Sequence, residues 1–241
     1  MPDSSNPIVD REKSLSTDEL ETLLVSEALG AGDPTGWFDR LYRAGESGRV
    51  AVPWSRVEAH PFLTDWAASR ADHGEGKRAI VVGCALGADA EFVASLGYET
   101  TAFDVSPAAI RLARRRHHGS SVHYTVADLL DLPPAWRRAF DLVVEIITVQ
   151  ALPDPPRRDA IANVGRLVSP GGVLLAIALA QRVESDREVK VPPWPLSREE
   201  IDLFAVDGLD QVALDVLALP EEPDEYRWRA EFSRTRPGHG S

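Results

Sequence analysis

The stretch from Ala79 to Ser106, AIVVGCALGADAEFVASLGYETTAFDVS, constrains the fold of this chain more than any other. Ala79 to Val82 is a short apolar run rich in β-branched residues, suited to a strand buried on both faces. Gly83 and Gly87 bracket the turn that follows. Between Ala88 and Leu96, the residues Ala90, Phe92, Val93 and Leu96 share one helical face, and Gly97 is the stop. Thr100 to Val105 reads as a second strand with Asp104 at its carboxyl end. In an open parallel sheet, ligands lie outside the carboxyl ends of the strands, so Gly83 and Asp104 are expected to line one pocket. The glycines allow close backbone approach, and the carboxylate can accept both hydrogen bonds of a ribose diol.

A nicotinamide dinucleotide would also use an acidic residue about twenty positions past its glycines. Its pyrophosphate, however, needs a G-x-G-x-x-G turn, whereas Gly83-Cys84-Ala85-Leu86-Gly87-Ala88-Asp89 puts a carboxylate near the helix start, where phosphate is repelled. A ligand with a cationic end fits better. These residues resemble the class I S-adenosylmethionine (SAM) dependent methyltransferases, and within them the thiopurine and halide/thiol group, whose turn reads GCGxGxD. Gly83, Cys84, Gly87 and Asp89 match that turn, and Ala85 stands in place of its middle glycine. The resemblance implies SAM as cofactor, held by this turn and by Asp104 and Val105.

With 241 residues and 44% hydrophobic residues, the chain suits one large α/β domain with a small N-terminal addition. A net charge of -12 disfavours nucleic acid as a partner, since such binding rests on Lys and Arg neutralising phosphates. The single cysteine, Cys84, excludes an intramolecular disulfide and reads as a packing residue. No stretch resembles a signal peptide or a membrane span, so a cytoplasmic location is expected, with no membrane partner and no metal site. The oligomeric state is open.

Residues 1–15 are polar and without periodicity, and read as a mobile tail. Residues 16–72 read as a helical lid. Ser16 and Glu19 form a capping box ahead of an apolar helical face of Leu20, Leu23, Leu24 and Ala28. Helices follow over Thr35 to Ala44 and from Pro61 to about Ala71. Trp37, Tyr42, Trp54 and Trp66 lie here, and on an amphipathic helix such residues are ordinarily core or cover. The pattern W-x-x-x-Y-x-x-G, then P-W, then H-P resembles the N-terminal lid of the thiopurine and halide/thiol group. By that resemblance Trp54, and after it Trp37, lie by the cofactor; Tyr42 is a candidate acceptor contact because the lid is expected to converge with the end of strand four above the strand carboxyl ends. His60 reads as a turn residue.

Ser106 and Pro107 start a helix whose arginines, from Arg111 to Arg116, read as a solvated face. Val122 to Ala127 alternates as a third strand, and the resemblance places Asp128 and Leu129 beside the adenine. Asp131 reads as a turn carboxylate. Phe140 to Ile147 is a fourth strand ending near the transferring methyl. There Glu145 is equally readable as a group orienting the cofactor's ammonium, as a base toward the acceptor, or as a paired structural carboxylate. Ile146, Val149 and Gln150 are candidate acceptor contacts.

Arg157 to Val168 reads as a helix, Ser169 to Gly172 as a tight turn, and Val173 to Ala180 as a fifth, doubly buried strand. Trp194, in the proline-rich segment after it, is placed to roof the acceptor. Ser197 and Glu200 form a second capping box for a helix stopping near Gly208. Two alternating runs, around Val212 to Val216 and Tyr226 to Phe232, form a hairpin joined by PEEPD. The expected fold over residues 73–236 is a Rossmann-like seven-stranded sheet with an antiparallel last strand and helices on both faces. The expected activity is methyl transfer to a small molecule, with a thiol or other soft nucleophile favoured. The alternatives are an O- or N-methyltransferase, a catalytically silent SAM-binding module and an NAD(P)-dependent oxidoreductase.

Overall fold

A computed structural model describes residues 15–70, 74–181 and 191–236, so the expected N-terminal tail lies almost wholly outside the described residues. The strands are β1 (Arg78–Val82), β2 (Glu99–Asp104), β3 (His123–Val126), β4 (Phe140–Ile146), β5 (Val168–Leu179), β6 (Leu209–Leu219) and β7 (Glu222–Arg234). They form one sheet in the order β3-β2-β1-β4-β5-β7-β6, parallel throughout except for β7, which runs against both neighbours. The helices are α1 (Thr17–Gly30), α2 (Gly36–Glu46), α3 (Pro61–Ala68), α4 (Ala88–Ser95), α5 (Pro107–Arg116), α6 (Pro156–Arg166) and α7 (Arg198–Asp202). None of the described helices is long and apolar enough to cross a membrane.

Alternation along the central strands produces two cores. Ile80, Val82, Phe103, Val143, Leu174 and Ala176 are buried in one, with Ile161 and Val164 of α6. Ala79, Val81, Ala102, Leu142, Val144 and Leu175 are buried in the other, with Ala90 of α4 and Ile110 of α5. Both faces of β1 and β4 are covered, which is why β1 is apolar past Arg78 and β4 is apolar except at Asp141 and Glu145. β1 pairs with β2 on one side and β4 on the other, so the strand order reverses at β1 and a crevice opens above its carboxyl end.

Both capping boxes form, Ser16 with Glu19 and Ser197 with Glu200. Four expectations shift. β5 begins at Val168, and Ser169 to Gly172 form a bulge inside it, because Leu142 resumes pairing only at Val173. α7 ends at Asp202, well short of Gly208. The hairpin turn is tighter than PEEPD, with Leu219 already opposite Glu222. The fourth concerns α3, which lies within the residues expected as a lid. Phe62, Leu63 and Trp66 of α3 pack into the sheet's second core, and the Trp66 indole donates to Glu231 of β7 at 2.7 Å. Only α1, α2 and the segment after them form a separate small core, around Leu20, Leu24, Trp37 and Leu41.

Candidate functional site

The two strands flanking the crevice end in strained backbone. After β1, Gly83, Ala85 and Gly87 have φ of 57°, 48° and 93°, and just past β4, Ile147 has φ of 60°. Alanine is costly there and a β-branched residue more so; such strain persists only where the surroundings fix it. Around Ile147 they do. Its N–H donates to the Ile177 carbonyl at 2.9 Å, while Thr148 and Val149 N–H donate to Glu145 Oε1 at 2.7 and 3.0 Å. The Thr148 hydroxyl donates to the Val82 carbonyl at 3.1 Å, tying the end of β4 to the end of β1. The glycines answer to the chain itself: a Cβ at Gly83 would collide with the Thr148 side chain, and one at Gly87 with the Tyr124 hydroxyl.

Asp104 ends β2 beside this turn. Its Oδ2 accepts from Ala85 N–H at 3.1 Å and its Oδ1 from Ser106 N–H at 2.9 Å, so two backbone donors fix the carboxylate's plane. Burial pushes its pKa up to about 6 against those two bonds, so it is ionised at neutral pH. Each oxygen keeps capacity for another donor. Half-buried Asp128, past β3, spends Oδ1 on Leu130 N–H at 2.8 Å, and among the described residues no hydrogen bond commits its other oxygen. Gly83, Ala85, Val105 and Ile146 are half-buried, whereas the strand residues beneath them are buried. This set of rigid carboxylates around a left-handed turn fits an adenosine-type cofactor.

The lid is pinned over the turn. Tyr42 is buried against Leu86, Ala108 and Ala109, with Trp54 and Ala85 alongside, and the Trp54 indole donates to its hydroxyl at 2.6 Å. Tyr42, expected on the acceptor side, thus packs against the turn after β1. The arginines of α5 are exposed, as expected of a solvated face, and they also reach across to neighbours: Arg111 and Arg115 pair with Glu46 of α2, Arg114 donates to the Tyr124 carbonyl, and Arg116 donates to the Arg56 carbonyl. A lid with an acidic edge meets a basic helix, a pairing hidden when either segment is read alone.

Several of the expected contact residues have partners within the chain. Asp89, read as facing a cationic ligand, spends Oδ1 on His60 N–H at 2.7 Å and Oδ2 on Arg56 at 2.9 Å, because a carboxylate this buried needs partners. His60 caps α3 through Nδ1, which accepts from Phe62 N–H, and burial beside Arg56 and Arg227 drives its pKa down to about 3. Trp37 is stacked on Phe38 inside the lid core, with its ring edge-on to Trp54. The Cys84 side chain is buried in the sheet's second core, and burial pushes its thiol well above the usual range. Leu129 and Val149 belong to the first core. Gln150 is buried, with Oε1 accepting from Leu179 N–H at 2.7 Å and its main-chain carbonyl accepting from Trp194 N–H at 2.8 Å. The Trp194 ring lies under the Arg157 guanidinium, which also pairs with Glu200 at 3.0 Å.

Glu145 is wholly buried. Oε1 caps the turn after β4, Oε2 has no partner among the described residues, and burial pushes the pKa up to about 7. Sequence reasoning missed Asp39, Arg56, Ser106 as a lid contact, and the Thr148 lock. Only Ser106 carried a sequence signal, as a helix cap, because each of the others acts through a partner distant in the chain.

Residues 79–172 match the family model described as a methyltransferase domain. Over 130 residues the chain is 32% identical to a ubiquinone biosynthesis O-methyltransferase of Thiobacillus denitrificans, covering 53% of this chain and 55% of that protein. The chain spans about half the length of the curated relatives it matches. Among solved structures, the N-methyltransferase NodS from Bradyrhizobium japonicum, in complex with S-adenosyl-L-homocysteine, aligns at 26% identity and a TM-score of 0.58, over 76% of this chain and 91% of NodS. A structure solved for the conversion of a disulfide bond into a thioacetal group during echinomycin biosynthesis aligns with a TM-score of 0.67 and 22% identity, over 85% of this chain and 93% of that one, which shows a shared fold.

Proposed function

We propose that this chain is a class I SAM-dependent methyltransferase and transfers a methyl group to an oxygen of a small molecule. The observation that carries the reading is Asp104, held rigid by Ala85 and Ser106 N–H beside the left-handed turn after β1. In this reading Asp104 would hold the ribose hydroxyls, the uncommitted oxygen of Asp128 the adenine amino group, and the backbone of Gly83 to Gly87, with Trp54, the methionine end. The cofactor supplies a methyl group on a sulfonium centre, already electrophilic. The chain's task is then to orient donor and acceptor and to exclude water, which in favourable cases accounts for about 7 to 11 kcal/mol of the barrier. The lid, through Tyr42 and Trp54, would close that space.

Neither Glu145 nor His60 offers a free base. The first is wholly buried, with only Oε1 engaged by two backbone N–H groups, and the second is a buried helix cap. Glu145 is therefore read as a positioning residue that fixes the turn after β4, and the acceptor as one that loses its proton readily, such as a phenol. The O-methyltransferase relatives support an oxygen acceptor. A thiol remains the rival, supported by the lid pattern around Trp37, Tyr42 and Trp54. Ile146, Gln150 and Trp194 are proposed for the acceptor side. A silent binding module would bind the cofactor without turnover.

The test is a methyl-transfer assay following S-adenosyl-L-homocysteine across phenols, thiols, halides and amines, with Glu145→Gln beside wild type. Phenol turnover in both, with kcat changed by less than about tenfold in the variant, supports the reading. Thiol-only turnover replaces oxygen by sulfur as the acceptor. No turnover despite firm cofactor binding favours the silent module.

A further inference from the structure

We propose that Asp39 is a positioning residue that couples docking of the N-terminal lid to the cofactor carboxylate Asp104, an inference that rests on the cofactor reading above. Asp39 belongs to α2, yet its Oδ1 accepts from the Ser106 hydroxyl at 2.8 Å and from Ala108 N–H at 2.9 Å. The Ser106 N–H in turn donates to Asp104 Oδ1 at 2.9 Å. One residue thus stands between a lid carboxylate and the carboxylate assigned to the ribose.

The arrangement exceeds what helix α5 needs. Ser106 alone is a sufficient cap, with Oγ accepting from Ala109 N–H at 3.1 Å, and Pro107 removes one donor from the first turn. Asp39 adds a second anion at the same helix start from a segment 67 residues earlier in the chain. Its position there is fixed from the other side, since Oδ2 pairs with Arg43 at 2.6 Å and Arg111 lies within Coulomb reach.

The charged and titratable groups facing Asp104 are Asp39 and Tyr42 from α2 and Cys84 from the turn. Of these, only Asp39 is ionised at neutral pH, and its charge opposes ionisation of Asp104. A docked lid therefore does two things at once: it steadies the Ser106 donor that orients Asp104, and it adds the Asp39 charge to the burial that already raises the Asp104 pKa. Removing the Asp39 charge should weaken the orientation while making Asp104 easier to ionise. A residue that merely stabilised the fold would not move these two readouts separately.

The experiment is calorimetric titration of S-adenosyl-L-homocysteine into the full chain between pH 5 and 8, for wild type, Asp39→Asn, Asp39→Ser and Asp104→Asn. Asp39→Ser keeps a short oxygen near Ala108 N–H and serves if Asp39→Asn folds poorly. The expected result is binding roughly tenfold weaker at pH 7 in the Asp39 variants. The pH at which affinity is half-lost on acidification should be lower than in wild type, and the acid step should be absent in Asp104→Asn. Unchanged affinity, or weaker binding with an unmoved midpoint, would overturn the coupling. Failure of wild type to bind at any pH would overturn the cofactor reading and this inference with it, whereas firm wild-type binding with unresponsive Asp39 variants would overturn this inference alone.

Discussion

Arg56 and Asp89, 33 residues apart in the chain, meet as an ion pair with Nη2 2.9 Å from Oδ2, where the segment leaving the lid crosses the first turn of α4. Asp89 is the more enclosed partner, and burial pushes its pKa up even with Arg56 and His60 N–H opposing. Replacing Arg56 with methionine leaves that carboxylate one partner short. We expect a loss of about 1 to 2 kcal/mol, discounted because the guanidinium is part-exposed. Thermal unfolding of Arg56→Met, Asp89→Asn and the double variant checks this, with the double variant recovering part of the loss. Additive losses would mean that the pair contributes nothing as a pair.

Glu145 sets a pH dependence of stability. Its carboxyl titrates at about 7 in the folded chain against an ordinary 4.5, so the folded state holds a proton the unfolded state has released. Stability from this group is complete below the unfolded pKa and is lost as pH rises from about 4.5 through 7, at most about 1.4 kcal/mol per pH unit. Asp104, raised to about 6, acts in the same direction at lower pH. Glu145→Gln keeps an acceptor for the Thr148 and Val149 N–H groups and cannot ionise. Melting temperature measured from pH 5 to 8 should fall in wild type and be flatter in the variant above pH 6.

Ala85 offers a test of sign. Ala→Gly substitutions ordinarily destabilise, because glycine loses more chain entropy on folding. At φ of 48°, relief of strain should offset that term. Ala85→Gly is therefore expected to leave stability unchanged or raise it by up to about 1 kcal/mol in denaturant unfolding. Gly83→Ala should do the reverse and lose about 2 kcal/mol or more, since the new methyl meets Thr148 as well as a left-handed backbone. Equal losses in both would show that the turn is not strained.

Asp104 is the residue on which the cofactor reading stands. Asp104→Ala should weaken S-adenosyl-L-homocysteine binding by about 1.5 to 3 kcal/mol, the scale of hydrogen bonds to a charged acceptor, with the far-ultraviolet circular dichroism unchanged. Unaltered affinity would remove Asp104 from the site.

The sequence by itself determined the sheet. Doubly apolar runs at Ala79 to Val82 and Leu174 to Ala178, glycine punctuation after β1, and period-two alternation in the terminal hairpin are local signals, and each maps onto a strand of the observed order. Capping boxes at Ser16 and Ser197 were legible for the same reason, because both partners lie within one turn. Asp104 was legible because a carboxylate at a strand end beside a glycine turn is itself a local pattern.

Side-chain partnership was decided only by the tertiary structure. Asp89, Trp37, Tyr42 and Glu145 have residue types that suit a ligand, and nothing in their neighbours along the chain distinguishes a ligand from an internal partner. Burial sets their internal partners: a carboxylate taken out of water must be paired or must hold its proton, and Arg56 is brought to Asp89 while among the described residues no cation is brought to Glu145. The same holds for the basic run of α5, whose role depends on Glu46 of the lid lying across it. Short-range propensity sets which segments become strands and helices, whereas the pairing of charges between segments is fixed only when the chain has packed.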